Sequence, residues 1–358
     1  MRASITSALV HADLVAEPGE VVVVVGPNGA GKTSLLRALA GLLPSTGTVE
    51  LAGRDVSAMP LHARGIGWVP QAPSLFAHLS ARDNAGFALR AGGMSRRAAR
   101  KAADEWLGRL GIGHLGDFRP GALSGGQVAR VALARALAAD PALVLLDEPL
   151  AALDTATGDD VRRLLRSTLA GGRAPVLVVT HDPVDVVALA DSVLVLENGA
   201  VVQHASPAEV AVRPRNVWVA GLLGQNAWRG VADETGLRTA SRGSAGHSTG
   251  HSTGHSTGHS TGHIAAAETL PAGTPALALC EPASVTLHRL RPSGSARTVL
   301  AGRVGELRSL GGRVRVVVHS DPQVTAEVTV GAATELGLAD GGQVWAAVKA
   351  TEVRLVAL

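Results

Sequence analysis

The stretch "EVVVVVGPNGAGKTSLLRALAGLL", Glu20 to Leu43, decides the architecture of the larger part of the chain. A short run of consecutive valines, β-branched and flanked by glycine, reads as a strand buried on both faces. From Lys32 onward the apolar spacing becomes that of an amphipathic helix. Between the two stands "GPNGAGKT", Gly26 to Thr33, with the spacing G-x-x-x-x-G-K-T. Placed between strand and helix, Gly26, Gly29 and Gly31 permit a tight loop whose backbone N–H groups converge on phosphates, and the helix N-terminus adds partial positive charge. Lys32 would bridge the β- and γ-phosphates, and Thr33 would offer its hydroxyl to magnesium. Alone, the pattern also fits a glycine-rich turn without a ligand; the flanking elements favour the phosphate site.

Further along, "ALVLLDEP" (142–149) is an apolar strand ending in two acids and a proline. Acids directly after an apolar run need a cation or hydrogen bonds close by. Asp147 can hold magnesium through water, while Glu148 points elsewhere and can polarise a water for attack on a γ-phosphate. Strand-like and helical stretches alternate up to residue 225 or so, as in "GDDVRRLLRSTLA" followed by "APVLVVTHD", which predicts a mainly parallel sheet with helices on its faces.

A second glycine-rich turn, "LSGGQ" (Leu123–Gln127), carries no lysine. Ser124 is placed as an N-cap, and "GQVARVALARALAAD" after it has the spacing of an amphipathic helix, so this is a helix terminus aimed at an anion. One chain with one nucleotide loop has no use for a second phosphate clamp. Two copies arranged head to tail would each supply the other's missing half, and ATP would join them. Read in isolation, the stretch is equally an ordinary cap followed by a glycine turn.

Composition sets the outer limits. A chain of 358 residues predicts a large domain plus a smaller one. Formal net charge is only +3, charged residues make up 18%, and no dense basic block is present, so nucleic acid is not an expected partner. The single cysteine, Cys280, cannot form an internal disulfide, suits a reducing cytoplasm, and reads as a small buried hydrophobe. No window of about 18 apolar residues is uninterrupted, so the chain is not expected to span a bilayer. At the beginning, His11, Asp13 and Glu17 interrupt any secretory core, and the segment reads as strands.

After residue 225 the pattern changes to short alternating runs such as "RVRVVVHS", "VTAEVTV" and "QVWAAVKATEVRLVAL", separated by "LGG" and "ADGG", which predict a small β-barrel or sandwich. Within this part "HSTG" repeats four times from His247 to Gly262 and closes on His263. Histidine at every fourth position would line one helix face and raises a metal site, but glycine, serine and threonine at the other positions disfavour a helix. The repeat is expected to be a disordered insertion in a surface loop.

"GPNGAGKT", Gln71 in "GWVPQAPSLF", "LSGGQ", "LVLLDEPLAALD" and His181 in "VLVVTHD" stand in the order found in ATP-binding subunits of ABC transporters, and the first 225 residues resemble that family. The resemblance implies an α/β P-loop NTPase with a mainly parallel sheet and a helical subdomain, binding ATP and Mg2+ in a sandwich homodimer that closes on two ATP molecules. It also implies the nucleotide contacts: Gly26, Pro27, Asn28, Gly29, Ala30, Gly31, Lys32, Thr33 and Ser34 on one copy, with Ser124, Gly125, Gly126 and Gln127 on the other. By the same resemblance Glu148, Gln71 and His181 are catalytic: Gln71 contacts magnesium and the attacking water and passes closure to a membrane partner, and His181 holds the γ-phosphate. Thr33, Gln71 and Asp147 would hold the metal, and Asp154 would fall in the loop that crosses the seam. Two departures stand out: no aromatic for adenine stacking occurs near Ser7 or Ala8 in a chain without tyrosine, and Val128 and Ala129 replace polar residues after "LSGGQ".

No membrane segment is fused to the motif-bearing part, so the resemblance implies a bacterial importer with a separate integral membrane permease, an extracytoplasmic solute-binding protein, and a peripheral place on the cytoplasmic face of the membrane. "ARTVLAGRVGELRSLGGRVRVVV" and "GQVWAAVKATEVRLVAL" are similar to the small OB-like TOBE β-domain of importer ATPases, and "VWAAVKATEV" is similar to molybdate-importer subunits. That domain would span 296–358, after a connecting β segment at 226–295, and would hold molybdate or tungstate or else only widen the dimer interface, with Lys349 as a contact. Sulfate or thiosulfate import, other small-solute import, and an oxyanion-responsive regulator without a permease are the alternatives.

Overall fold

The computed structural model describes residues 1–72, 74–151, 155–169, 172–239 and 262–358. Asp154 and the histidine repeat up to residue 261 lie outside the described residues. The chain divides into two compact units, Met1–Val210 and Ala211–Leu358.

The first unit contains β1 (Arg2–Thr6), β2 (His11–Val15), β3 (Val21–Val25), α1 (Lys32–Ala40), β4 (Thr46–Leu51), β5 (Arg54–Asp55), β6 (Ile66–Val69), α2 (Ala81–Ala85), α3 (Phe87–Ala91), α4 (Arg96–Arg109), α5 (Gly125–Leu137), β7 (Leu143–Asp147), α6 (Thr155–Leu169), β8 (Val176–Val179), α7 (Pro183–Leu189), β9 (Ser192–Glu197) and β10 (Ala200–Ala205). Its sheet runs β5-β4-β1-β2-β10-β9-β3-β8-β7-β6. From β9 to β6 every pairing is parallel. Here β3, β7 and β8 are buried at every residue, because helices cover both faces. The other half is largely antiparallel, and β1 and β2 alternate exposed and buried residues, as strands with one solvated face do. The sheet is therefore mixed, its parallel half built from the apolar runs and its antiparallel half opened by the N-terminal strands.

Register does the work of assembling the site. Val69 of β6 stands beside Leu146 of β7, Asp147 beside Val179 of β8, and Val179 beside Val24 of β3. The carboxyl ends of four parallel strands thus fall in line, and ligands of such sheets bind outside those ends. The segment between β6 and β7 supplies the helical subdomain, α2 to α5.

α8 (Pro207–Val212) runs across the division, and α9 (Val217–Leu222) precedes the strands of the second unit. These are β11 (Asn226–Asp233), β12 (Gly236–Thr239), β13 (His263–Ala265), β14 (Pro275–Cys280), β15 (Thr286–His288), β16 (Thr298–Leu310), β17 (Arg313–Ser320), β18 (Val324–Thr329), β19 (Gln343–Val348) and β20 (Arg354–Ala357), with α10 (Val330–Glu335) after β18. Two five-stranded sheets form, β13-β12-β11-β14-β20 and β15-β19-β16-β17-β18. Trp228, Leu237 and Ile264 from the first sheet and Leu300, Val316 and Val344 from the second pack into one core. The Trp228 Nε1–H donates to the Gln323 carbonyl at 2.9 Å, so the indole is buried with its polar atom satisfied. Cys280 is buried in this core, and burial pushes its thiol pKa up to about 12, which keeps it a neutral, inert thiol.

Candidate nucleotide site at the strand carboxyl ends

Chain geometry first dictates the loop after β3. Gly31 has φ 98°, and a Cβ there would lie 2.8 Å from Val10 Cγ2. Gly26 is tighter still: a Cβ would meet the Leu196 carbonyl oxygen at 2.2 Å. Both positions exclude a side chain. Gly31 is also the N-cap of α1 and supplies no side-chain bond to the first turn, so the N–H groups there are left to a ligand. The loop between them carries exposed Asn28 and Gly29 and buried Ala30, with the Ala30 N–H donating to the Pro27 carbonyl at 3.1 Å; Ser34 follows in the first turn of α1.

Lys32 folds its ammonium back over this loop, donating to the carbonyls of Gly26 at 2.7 Å and Pro27 at 3.0 Å. Burial lowers its pKa, while Glu148 and Asp147 act in the opposite sense. Across from it, Thr33 donates its hydroxyl to Asp147 Oδ1 at 3.3 Å. Asp147 is 3% exposed, and burial pushes its carboxyl pKa above the ordinary value against the lowering effect of the Thr33 bond. A buried carboxyl held next to a hydroxyl on the loop helix supplies oxygen donors of the kind a hard cation takes.

Three side chains singled out from separate stretches come together, two of them at the carboxylate of the third. Gln71 donates from Nε2 to Glu148 Oε2 at 2.9 Å, and His181 Nδ1 lies 3.3 Å from Glu148 Oε1. Glu148 itself has φ 49°, a left-handed conformation uncommon outside glycine, which ends β7 and re-aims its side chain relative to Asp147. The Glu148 N–H remains bonded to the Val179 carbonyl at 3.0 Å, so this turn is anchored to β8, from which His181 follows. The two adjacent acids therefore meet different partners for a backbone reason.

Ser124 is the N-cap of α5, as its position before the amphipathic run required. Gln127 completes a capping box: its Oε1 accepts from the Ser124 N–H at 2.9 Å, and the Ser124 hydroxyl accepts from the Gln127 N–H at 3.4 Å. Gly125 and Gly126 open the helix, and Gly125 is exposed. This end of α5 is self-contained and faces solvent, available to an anion from outside the turn. At Ser7 the chain forms a tight turn, the hydroxyl accepting from the Val10 N–H at 3.1 Å. Lys349 is exposed after β19.

Sequence reasoning missed the brace behind His181. Arg162 of α6, its side chain 12% exposed, donates to Asp185 Oδ1 at 2.6 Å, Asp182 Oδ2 at 2.5 Å and Asp159 Oδ1 at 2.9 Å. Thr180 donates to Asp185 Oδ2 at 2.6 Å and accepts from the Asp182 N–H at 3.1 Å. The residues on both sides of His181 are thereby fixed to α6. The available signal was the charge of Arg162 within the otherwise apolar stripe of "VRRLLRSTL", facing the two aspartates of "THDPVD".

Comparison with known proteins agrees with this geometry. The family described as ABC transporter matches residues 9–151, and the TOBE domain matches 294–355. The chain is 38% identical over 371 residues to the molybdenum import ATP-binding protein ModC of Mycobacterium tuberculosis, covering 99% of this chain and 96% of that protein. It is 41% identical over 218 residues to the sulfate/thiosulfate import ATP-binding protein CysA of Mycolicibacterium paratuberculosis, covering 61% of this chain and 60% of that one. An Fe(3+) ions import ATP-binding protein of Rhizobium meliloti is 38% identical over 220 residues, 61% of this chain and 62% of its own. Among solved structures, a dimeric ATP-binding cassette in a post-hydrolysis state with ADP and Pi superposes with a TM-score of 0.51 at 30% identity, over 57% of this chain and 96% of that one. With a phosphate loop, a serine-capped helix and a shared glutamate in the order and register the fold requires, and a relative matched along nearly its whole length, the chain belongs to the ATP-binding proteins of ABC transporters.

Proposed function

We propose that the chain is the ATP-hydrolysing subunit of a molybdate importer, working as a homodimer on the cytoplasmic face of the membrane beneath a separate permease that receives its anion from an extracytoplasmic binding protein. One observation carries the choice of solute: the resemblance to the molybdenum importer extends over 99% of this chain, whereas the sulfate and iron relatives match 61% of it. The second unit therefore goes with the molybdenum relative. No helix among the described residues is long and apolar enough to cross a membrane, which fits a subunit that leaves the crossing to its partner. In this reading residues 1–225 form the ATP-binding domain, 226–295 a connecting β segment and 296–358 the TOBE domain.

Within the site, the N–H groups of Gly26 to Ser34 and the Lys32 ammonium hold the phosphates. Thr33, Asp147 and the Gln71 amide oxygen suit Mg2+, which when bound neutralises charge on the β- and γ-phosphates. Glu148 orients and deprotonates the attacking water, Gln71 aligns it, and His181 donates to the γ-phosphate. The capped end of α5 in the second copy, with Ser124 to Gln127, closes the site from across the seam. The test is uptake of radiolabelled molybdate by vesicles containing this subunit with its permease. ATP-dependent uptake that about a hundredfold excess of sulfate leaves intact supports the reading; equal competition by sulfate overturns the choice of solute.

A further inference from the structure

At the amino ends of β7 and β8, away from the carboxyl ends that build the nucleotide site, the first unit holds an open cavity of about 590 Å³. Its floor is aliphatic: Val144 of β7, Val176 of β8 and Leu169 of α6 are each 2% exposed. Trp106 and Arg109 at the end of α4 form one wall, Thr168 of α6 lines another part, and Arg173 stands in the loop before β8. Protein interiors pack about as densely as organic crystals, so an open space of this size over buried side chains is out of keeping with a filled core. Its volume falls within the range of small-molecule sites, about 300 to 1,000 Å³.

The rim selects by charge. The Arg109 guanidinium lies 5.0 Å from the centroid of the Trp106 ring, which holds the cation against the wall. Arg109 and Arg173 are both exposed, and among the described residues neither forms an ion pair, although Asp140 lines the same cavity. Two cations against one acid leave the rim positive. A guanidinium pairs with a carboxylate or sulfonate through forked donors and also lies flat on aromatic rings. An aliphatic floor, an indole wall and two such groups together suit a flat aromatic body that carries one anion.

We propose that this cavity is a second ligand site of the first unit, taking a planar aromatic anion that rests on Val144 and Val176, lies along Trp106 and pairs with Arg109 and Arg173. No residue of the phosphate loop lines it, so it fills independently of nucleotide. The inference holds whichever solute the chain serves, because no residue assigned to ATP or to the second unit takes part. Trp106 belongs to the helical subdomain and the floor to the sheet, so an occupant bridges the two and should raise the Tm of the chain.

The probe is anilinonaphthalene sulfonate, a fluorescent aromatic anion, titrated into the full chain with and without saturating Mg2+ and ATP. One site should fill with a dissociation constant on the order of tens of micromolar, and ATP should change that constant by no more than about twofold. Arg109→Glu combined with Arg173→Glu should weaken binding at least about tenfold. Thr168→Trp, which fills the cavity from α6, should remove the site; the exposed arginines can be reversed without disturbing the core, so the test stands if the tryptophan variant does not fold. Phenylnaphthylamine, which has the same rings and no sulfonate, should bind at least about tenfold more weakly than the anion. Binding unchanged by the charge reversal, displacement of the probe by ATP, or no saturable site in the parent would each overturn the proposal. Equal affinity for the neutral amine would overturn the choice of an anion.

Discussion

Glu148 is held with φ 49°, a conformation that costs a non-glycine residue about 1 kcal/mol or more, and the surrounding bonds to Val179, Gln71 and His181 keep it there. Strain of this kind is consistent with a carboxylate aimed at a water rather than folded back on the strand. Glu148→Gln keeps the shape and removes the base, so turnover should fall by about 100- to 1,000-fold while ATP binding is retained, as measured by single-turnover hydrolysis and equilibrium binding. Turnover within about threefold of the parent would exclude the role. Asp147 gives a different test, because burial raises its pKa in the folded chain. A raised carboxyl contributes stability fully below its unfolded pKa and loses it as pH rises through the folded value. Folding therefore disfavours the ionised form of Asp147 relative to the unfolded chain, mainly through burial. Asp147→Asn should raise Tm relative to the parent progressively as pH increases from acid to neutral, and should abolish the extra stabilisation that Mg2+ adds to bound ATP. A Tm difference independent of pH would show that the buried charge is not the cause.

Among the elements, α5 concentrates most of the account. Its N-terminus is closed by a capping box, Arg135 in its last turn donates to the Ser74 carbonyl at 2.8 Å, and none of this involves its own chain's Lys32. Ser124→Arg replaces the cap with a cation at the positive end of the helix dipole, a loss of about 1 kcal/mol in local stability, and fills the space an incoming phosphate needs. ATP binding to the loop at Lys32 should stay within about twofold and hydrolysis should be abolished, read with a fluorescent nucleotide and a phosphate assay. Normal hydrolysis by that variant would rule out a part for the helix in the chemistry. The elements themselves were legible to different degrees. Runs such as Val21–Val25 and Leu143–Asp147 announce strands covered on both faces, and Ser124 before an amphipathic stretch announces a cap. Sheet order does not follow from such local signals: that Val69 aligns with Leu146, and Asp147 with Val179, is a long-range outcome of packing, and it alone brings Gln71, Glu148 and His181 together. For the same reason the brace of Arg162 with Asp182 and Asp185 stayed hidden, since the partners are 20 and 23 residues apart and charged residues on a helix usually face water.

Over the whole molecule, the first unit carries the glycine-rich loop over which Lys32 folds and, separately, the exposed, capped end of α5 at Ser124. The second unit is a separate β core with its own buried tryptophan, and its resemblance to molybdenum importers gives the solute assignment its support. In the proposed head-to-tail pair the capped helix end of one copy faces the loop of the other. The most direct measurement is disulfide crosslinking of an Asn28→Cys, Ser124→Cys chain in the Glu148→Gln background, where the native Cys280 is buried and its thiol is held neutral. With Mg2+ and ATP, the account predicts that the two introduced thiols join different chains, giving a covalent dimer that disappears when nucleotide is omitted. Crosslinks confined within single chains, or only uncrosslinked chains under saturating ATP, would contradict a site shared between two copies.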